Sequence, residues 1–170
     1  MIVLVGFMGA GKSTVGRALA ARLGLPFLDS DRQIEHATGR AVREIFAAQG
    51  EPAFRELERT TIAALLAGPD VVLALGGGAV EDPLTREALA GVPVVFLQVD
   101  LTQATARTGP DGRRPLLQRP DLPDLFERRQ AGYREVATVT VVTGGRSVEA
   151  VVDAVLEEFA VLLRSVDDAG

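Results

Sequence analysis

The stretch Gly6-Phe7-Met8-Gly9-Ala10-Gly11-Lys12-Ser13-Thr14 decides the reading of this chain. It follows a short apolar run, Ile2 to Val5, and leads into a segment of helical spacing, Thr14 to Leu23, closed by Gly24. It matches G-x-x-x-x-G-K-[ST] at every position, in the strand-then-helix context the motif requires. Its glycines let backbone N–H groups turn inward around phosphate oxygens, and the helix N-terminus adds partial positive charge. Gly9, Ala10, Gly11, Lys12, Ser13 and Thr14 are therefore expected to hold a nucleoside triphosphate. Lys12 would reach the β- and γ-phosphates, and the Ser13 hydroxyl would face Mg²⁺. Lys12 is the single lysine among 18 basic residues. A compact ammonium kept only here, in a chain that otherwise uses arginine, points to a constraint from the site.

The rest of the composition narrows the class. At 170 residues and 47% hydrophobic content the chain suits one domain, 1–170, with a substantial core. A net charge of -5 argues against a general nucleic-acid binder. There is no cysteine and one histidine, His36, which excludes disulfides and thiolate zinc and disfavours a histidine-ligated metal. No apolar stretch is long enough to span a membrane, and the N-terminal run is too short for a signal peptide, so a cytoplasmic protein is expected.

Apolar runs alternate with helical stretches along the whole chain. Strands are expected at Ile2–Val5, Pro26–Leu28, Val71–Leu75, Val94–Val99 and Val139–Val142. Helices are expected at Thr14–Leu23, Arg32–Ala37, Val42–Gln49, Glu51–Ala67, Pro83–Ala90, Phe126–Glu135 and Val148–Leu163. This alternation predicts an α/β fold with a five-stranded parallel sheet and helices on both faces. A polar stretch rich in glycine and proline, between Arg107 and Asp124, reads as a long functional loop.

With one lysine the chain cannot carry the N-K-x-D motif of GTPases. Asp100 ends an apolar run, but Gln103 behind it makes a helix cap the better reading. The carboxylate near the metal is then sought in Asp29-Ser30-Asp31, at the end of the second strand. Residues i and i+2 of an extended segment share a side, so both carboxylates would face the phosphates. Asp29 is assigned to the metal through water, and Asp31 to an acceptor hydroxyl. The competing reading is that Asp31 or Ser30 simply caps the next helix.

Taken together, GFMGAGKS, Asp29-Ser30-Asp31, Phe54-Arg55 in AFRELE, Gly76-Gly77-Gly78 after an apolar strand, and Arg114-Pro115-Leu116-Leu117 stand in the order and approximate spacing of the shikimate kinases. The chain resembles that family over almost its whole length. The resemblance implies transfer of the γ-phosphoryl group of ATP to the 3-hydroxyl of shikimate, on the route to aromatic amino acids. It also implies a monomer with a three-layer P-loop kinase fold and strand order 2-3-1-4-5.

By this resemblance Arg55 binds the shikimate carboxylate, Gly77 contacts shikimate, and Arg129, four residues before Tyr133, is the second substrate arginine. Ala131-Gly132 stand where the family commonly has Pro-Leu, and Arg128 is an adjacent candidate. An arginine can hold a carboxylate by a planar two-point contact that lysine cannot reproduce. From the residues alone, Arg55 with Glu58 reads first as a surface pair, and Phe46 and Phe54 read equally as core or as pocket wall. The acceptor region is expected at about 31–60 and a lid at about 109–124. Lys12, Asp31 and Arg114 are the expected catalytic residues, with Arg114 meeting the γ-phosphate. Arg107 and Arg146 resemble the family's adenine-side residues, and a plain helix-start arginine is the alternative for Arg146.

Overall fold

The computed structural model describes residues 1–108 and 120–167. Strands β1 (Ile2–Val5), β2 (Phe27–Asp29), β3 (Val72–Ala74), β4 (Val94–Gln98) and β5 (Val139–Val142) form one sheet in the order β2-β3-β1-β4-β5. Every pairing is parallel, so both the class and the strand order agree with the sequence reading. All of β3 and the first four residues of β4 are buried. Successive side chains point to opposite faces, so helices must cover both sides there. On the outer strand β5 burial alternates, with Val139 and Val141 inside and Thr140 and Val142 outside.

Among the described residues, seven α-helices fill the connections: α1 (Lys12–Leu23), α2 (Ser30–Thr38), α3 (Val42–Leu66), α4 (Pro83–Ala88), α5 (Leu101–Thr108), α6 (Leu122–Val136) and α7 (Val148–Asp167). Helix α3 contains a kink: Gly50 sits at φ 79°, ψ 174°, so the two helical pieces expected on either side of it meet there. A left-handed φ is open to glycine at little cost, and Pro52, two residues on, fits the first turn of the second piece. The helix serves two cores, and its second half contributes to both. Ile45 and Phe54 join Ile34 of α2 in a small cluster, whereas Ile62 belongs to the main core with Val3, Leu4, Val5, Leu73 and Phe96. Phe46 stacks on Phe54 with ring centroids 4.3 Å apart in that small cluster.

Two boundaries differ from expectation in a way that matters for the site. Helix α6 begins at Leu122, four residues before the apolar periodicity suggested, because Pro123 fits the first turn, where no N–H is needed. Arg107 lies in the last turn of α5 instead of in the polar loop. Leu122–Asp124 of the expected lid are therefore helical, and residues 109–119, including Arg114, lie outside the described residues. Among the described residues, no helix is long and apolar enough to cross a membrane.

Candidate active site

The parallel sheet brings three sequence motifs together at the carboxyl ends of β1, β2 and β3. GFMGAGKST follows β1, Asp29-Ser30-Asp31 spans the end of β2, and Gly76-Gly77-Gly78 follows β3. In an open α/β sheet this edge is where ligands bind.

The glycine-rich loop is built by backbone that only glycine adopts easily. Gly9 and Gly11 lie at φ 78° and 92°, and a Cβ at Gly9 would run into the main-chain oxygen of Ala104 in α5. Phe7 is fully buried and meets Phe126 of α6 edge-on at 5.0 Å, which anchors the loop from below. Gly11 is the N-cap of α1 and supplies no side-chain cap, so the first turn directs its N–H groups into the loop. Lys12 Nζ donates to the carbonyl oxygens of Gly6 at 2.6 Å and Phe7 at 3.3 Å. Ser13 Oγ donates to Asp29 Oδ2 at 3.1 Å. A hydroxyl beside one carboxylate is an all-oxygen donor pair of the kind that suits Mg²⁺.

The Asp29-Ser30-Asp31 reading is corrected in its geometry. Asp29 is the N-cap of α2 and accepts from the Arg32 N–H at 3.3 Å while also reaching Ser13. It caps the helix and faces the phosphate loop at once, whereas the cap had been considered for Asp31 or Ser30. Asp31 lies in the first turn of α2, not in an extended strand. Ser30 is fully buried and accepts from the Gly76 N–H at 2.9 Å, tying the end of β2 to the glycine run. Burial raises the Asp31 pKa above 3.8, the neighbouring Asp29 and Glu35 carboxylates add to the rise, and Lys12 and Arg55 oppose it.

Each glycine of the run faces a different side chain. A Cβ on Gly76 would lie 2.6 Å from Asp31 Oδ1 and 2.7 Å from Glu58 Oε1. One on Gly77 would lie 3.6 Å from the Tyr133 hydroxyl and 3.7 Å from Arg129 Nη1. One on Gly78 would lie 2.6 Å from Arg55 Nη1. At Gly76 and Gly78 functional groups stand where a side chain would be, whereas at Gly77 they stand at ordinary contact distance.

Arg55 is no surface pair. Its Nη1 donates to the buried Glu58 at 2.6 Å and its Nη2 to the exposed Glu51 at 3.1 Å. Burial alone would lower the Arg55 pKa; the Glu58 charge and hydrogen bond outweigh it, and the pKa rises. Glu58 is itself raised by burial, against the pull of Arg55. Arg129 is buried and its guanidinium lies 6.0 Å from the Phe7 ring centre, whereas Arg128 is exposed. The inward arginine is thus the one assigned from the Tyr133 spacing.

On the far side of the loop, Arg107 Nη1 donates to the Gly9 carbonyl at 3.3 Å, and its Nη2 donates to the Thr143 carbonyl at 2.9 Å. Arg146 is exposed on the turn after β5. Both adenine-side candidates therefore border the loop edge nearest β5. Asp100 Oδ1 accepts from the Gln103 N–H at 2.7 Å, the helix cap expected of it.

Two groups in this constellation escaped the sequence reading. The Tyr133 hydroxyl, used there only as a spacing mark, donates to the Gly77 carbonyl at 2.5 Å, and burial raises its pKa. Glu81 lies 2.8 Å from Arg129 and 3.8 Å from Arg55. Nothing in its sequence neighbourhood, AVEDP, signals that role, because its partners sit on two distant helices.

A phosphate loop closed by a lysine, a carboxylate beside it and arginines across a glycine run define a P-loop small-molecule kinase. The family model for shikimate kinase matches residues 8–160. A shikimate kinase of Streptomyces coelicolor is 49% identical over 160 residues, 92% of this chain and 94% of that protein. The chain belongs to the shikimate kinase family, whose members are ATP-dependent kinases. A solved shikimate kinase from Acinetobacter baumannii in complex with shikimate is 40% identical with a TM-score of 0.86, covering 96% of this chain and 93% of that one. A gluconokinase from Sinorhizobium meliloti is 22% identical with a TM-score of 0.67 over 99% of this chain and 96% of that one, a likeness of fold alone.

Proposed function

We propose that this chain transfers the γ-phosphoryl group of ATP to the 3-hydroxyl of shikimate, giving shikimate 3-phosphate and ADP. The observation that carries the reading is the glycine run, whose three positions face Asp31, Arg129 and Arg55 beside the phosphate loop.

Phosphoryl transfer depends on positioning and on neutralising spread negative charge. Gly9, Ala10, Gly11 and Thr14 line the triphosphate with backbone N–H groups, and Lys12 moves from loop carbonyls to phosphate oxygens. Arg107 and Arg146 flank the adenine. Ser13 and Asp29 would hold Mg²⁺, which when bound supplies positive charge to the phosphate oxygens. Arg55 and Arg129 grip the acid's carboxylate while the Gly77 backbone approaches its ring. Asp31 orients the acceptor hydroxyl and takes its proton as the bond to phosphorus forms. Arg114, from the lid region, meets the γ-phosphate. The domain 1–170 acts as a monomer in the cytoplasm, its acceptor region at about 31–60.

The test is coupled ADP release with and without shikimate, with gluconate and nucleoside monophosphates as controls. Stimulation by shikimate alone is expected, and its absence overturns the proposal.

A further inference from the structure

Glu81 ends the 3-10 turn Ala79–Glu81, directly behind the glycine run. Its N–H donates to the Gly78 carbonyl at 2.9 Å, so its backbone is fixed to the strand end that carries the run. Its side chain is about one-third exposed, and one oxygen, Oε2, collects three guanidinium nitrogens. Arg129 Nε lies 2.9 Å away and Arg129 Nη2 2.8 Å. Arg55 Nη2 lies 3.8 Å away. The two arginines come from different helices, α6 and α3, and Glu81 belongs to neither.

We propose that Glu81 is a positioning residue for acid binding: it clamps Arg129 by one edge, so that Nη1 is left facing Gly77, and it holds Arg55 alongside. The inference rests on the assignment of Arg55 and Arg129 to the acid's carboxylate. A guanidinium is planar with five N–H donors in fixed directions. Occupying the Nε and Nη2 edge fixes the plane and dedicates the remaining nitrogen. Arg129 Nη1 stands 3.7 Å from the point where a Gly77 Cβ would be. Gly77 is itself held from the other side, because its carbonyl accepts from the Tyr133 hydroxyl. The buried Arg129 charge also needs a resident anion while the acid is absent. Without Glu81 the side chain would keep its burial and lose its orientation.

Steady-state kinetics of Glu81→Ala and Glu81→Gln, with both substrates varied, tests the clamp. Glu81→Ala is expected to raise the KM for shikimate about tenfold, with kcat and the KM for ATP within about threefold, the scale of a hydrogen bond to a charged group. Glu81→Gln keeps an amide oxygen that accepts the same N–H pair, and most of the shikimate KM is expected to return. A purely structural role would move kcat and both KM values together, and that result overturns the clamp. An unchanged or lowered shikimate KM in Glu81→Ala also overturns it, the lowered value placing Glu81 where the acid's carboxylate lands. Should Glu81→Ala fail to fold, Glu81→Asp carries the test. Its carboxylate is one methylene too short to serve both arginines, so the same confined rise is expected and an unchanged KM overturns the clamp. Arg129→Lys is measured in parallel. A shikimate KM that responds to Arg129→Lys and not to Glu81→Ala overturns the clamp alone, whereas one that responds to neither overturns the acid site beneath it.

Discussion

Gly76 and Asp31 stand so close that a methyl group at Gly76 would lie 2.6 Å from the Asp31 Oδ1 oxygen. Glu58 Oε1 would be 2.7 Å from the same methyl. One missing side chain therefore sets the place of two carboxylates. Gly76→Ala is expected to displace Asp31 and to lower kcat about 100-fold, the scale of a misplaced reacting group. Titration with a fluorescent ATP analogue should change little, since the phosphate loop follows a different strand. Wild-type turnover in this variant would mean that Asp31 does not act where it is described.

Asp31→Asn separates catalysis from stability. Burial holds the Asp31 pKa above 3.8, so its ionised form is disfavoured in the folded protein at neutral pH. The amide removes that cost, so the variant should have a higher Tm than wild type at pH 7 while kcat falls. A raised folded-state carboxylate pKa favours folding at low pH and disfavours it above. The Tm difference should thus shrink as the pH is lowered through the raised pKa and Asp31 of the wild type takes up its proton. Thermal melts across that window decide it, and a variant melting below wild type at pH 7 contradicts the argument.

Lys12→Arg keeps the charge and changes its shape. The ammonium donates to two loop carbonyls, at 2.6 and 3.3 Å, inside a turn of three glycines. A planar guanidinium spreads its donors in a rigid fork and does not replace a compact ammonium there. Activity is expected to fall at least about 100-fold, as for loss of one transition-state donor. Single-turnover phosphoryl transfer is the measurement.

Arg55→Lys is expected to raise the KM for shikimate about tenfold, with the KM for ATP unchanged, because one ammonium cannot serve Glu58 and an incoming carboxylate in one plane. The Glu51 contact is exposed and weaker than the buried Glu58 contact. Glu51→Gln should consequently leave the shikimate KM within about twofold.

Tyr133→Phe removes the hydroxyl that fixes the Gly77 carbonyl. A loss of about 1 kcal/mol in unfolding free energy is expected from the broken hydrogen bond. A few-fold rise in the shikimate KM should accompany it. Urea denaturation and initial rates measure the two effects separately.

The sheet was legible because its strands are short runs rich in apolar and β-branched residues, and β1 and β5 stand at the ends the sequence suggests. The break at Gly50 was legible as the gap between two helical stretches, Val42–Gln49 and Glu51–Ala67, and the structure joins them through a kink there. The phosphate loop and the glycine run were legible because both are backbone devices that leave a mark in composition. The start of α6 was not, since a proline in a first helical turn reads like a proline in a loop. The cap at Asp29 was not legible: the sequence suggests Asp31 or Ser30 for it, and a carboxylate with two oxygens can accept from the Arg32 N–H and the Ser13 hydroxyl at once. Glu81 was invisible because an ion pair to Arg129, across 48 residues, leaves no local pattern.

The posture of Lys12 has a consequence for which visitors the loop admits. In the free protein the ammonium is stitched across the mouth of its own loop by the Gly6 and Phe7 carbonyls. A ligand must therefore win the cation away from these carbonyls and from the charge of the nearby Asp31 carboxylate. A singly charged anion offers little advantage in that exchange, and a triphosphate offers several charges converging on one point. The resting loop thus behaves as a threshold device that sorts anions by charge density before any base or sugar is inspected.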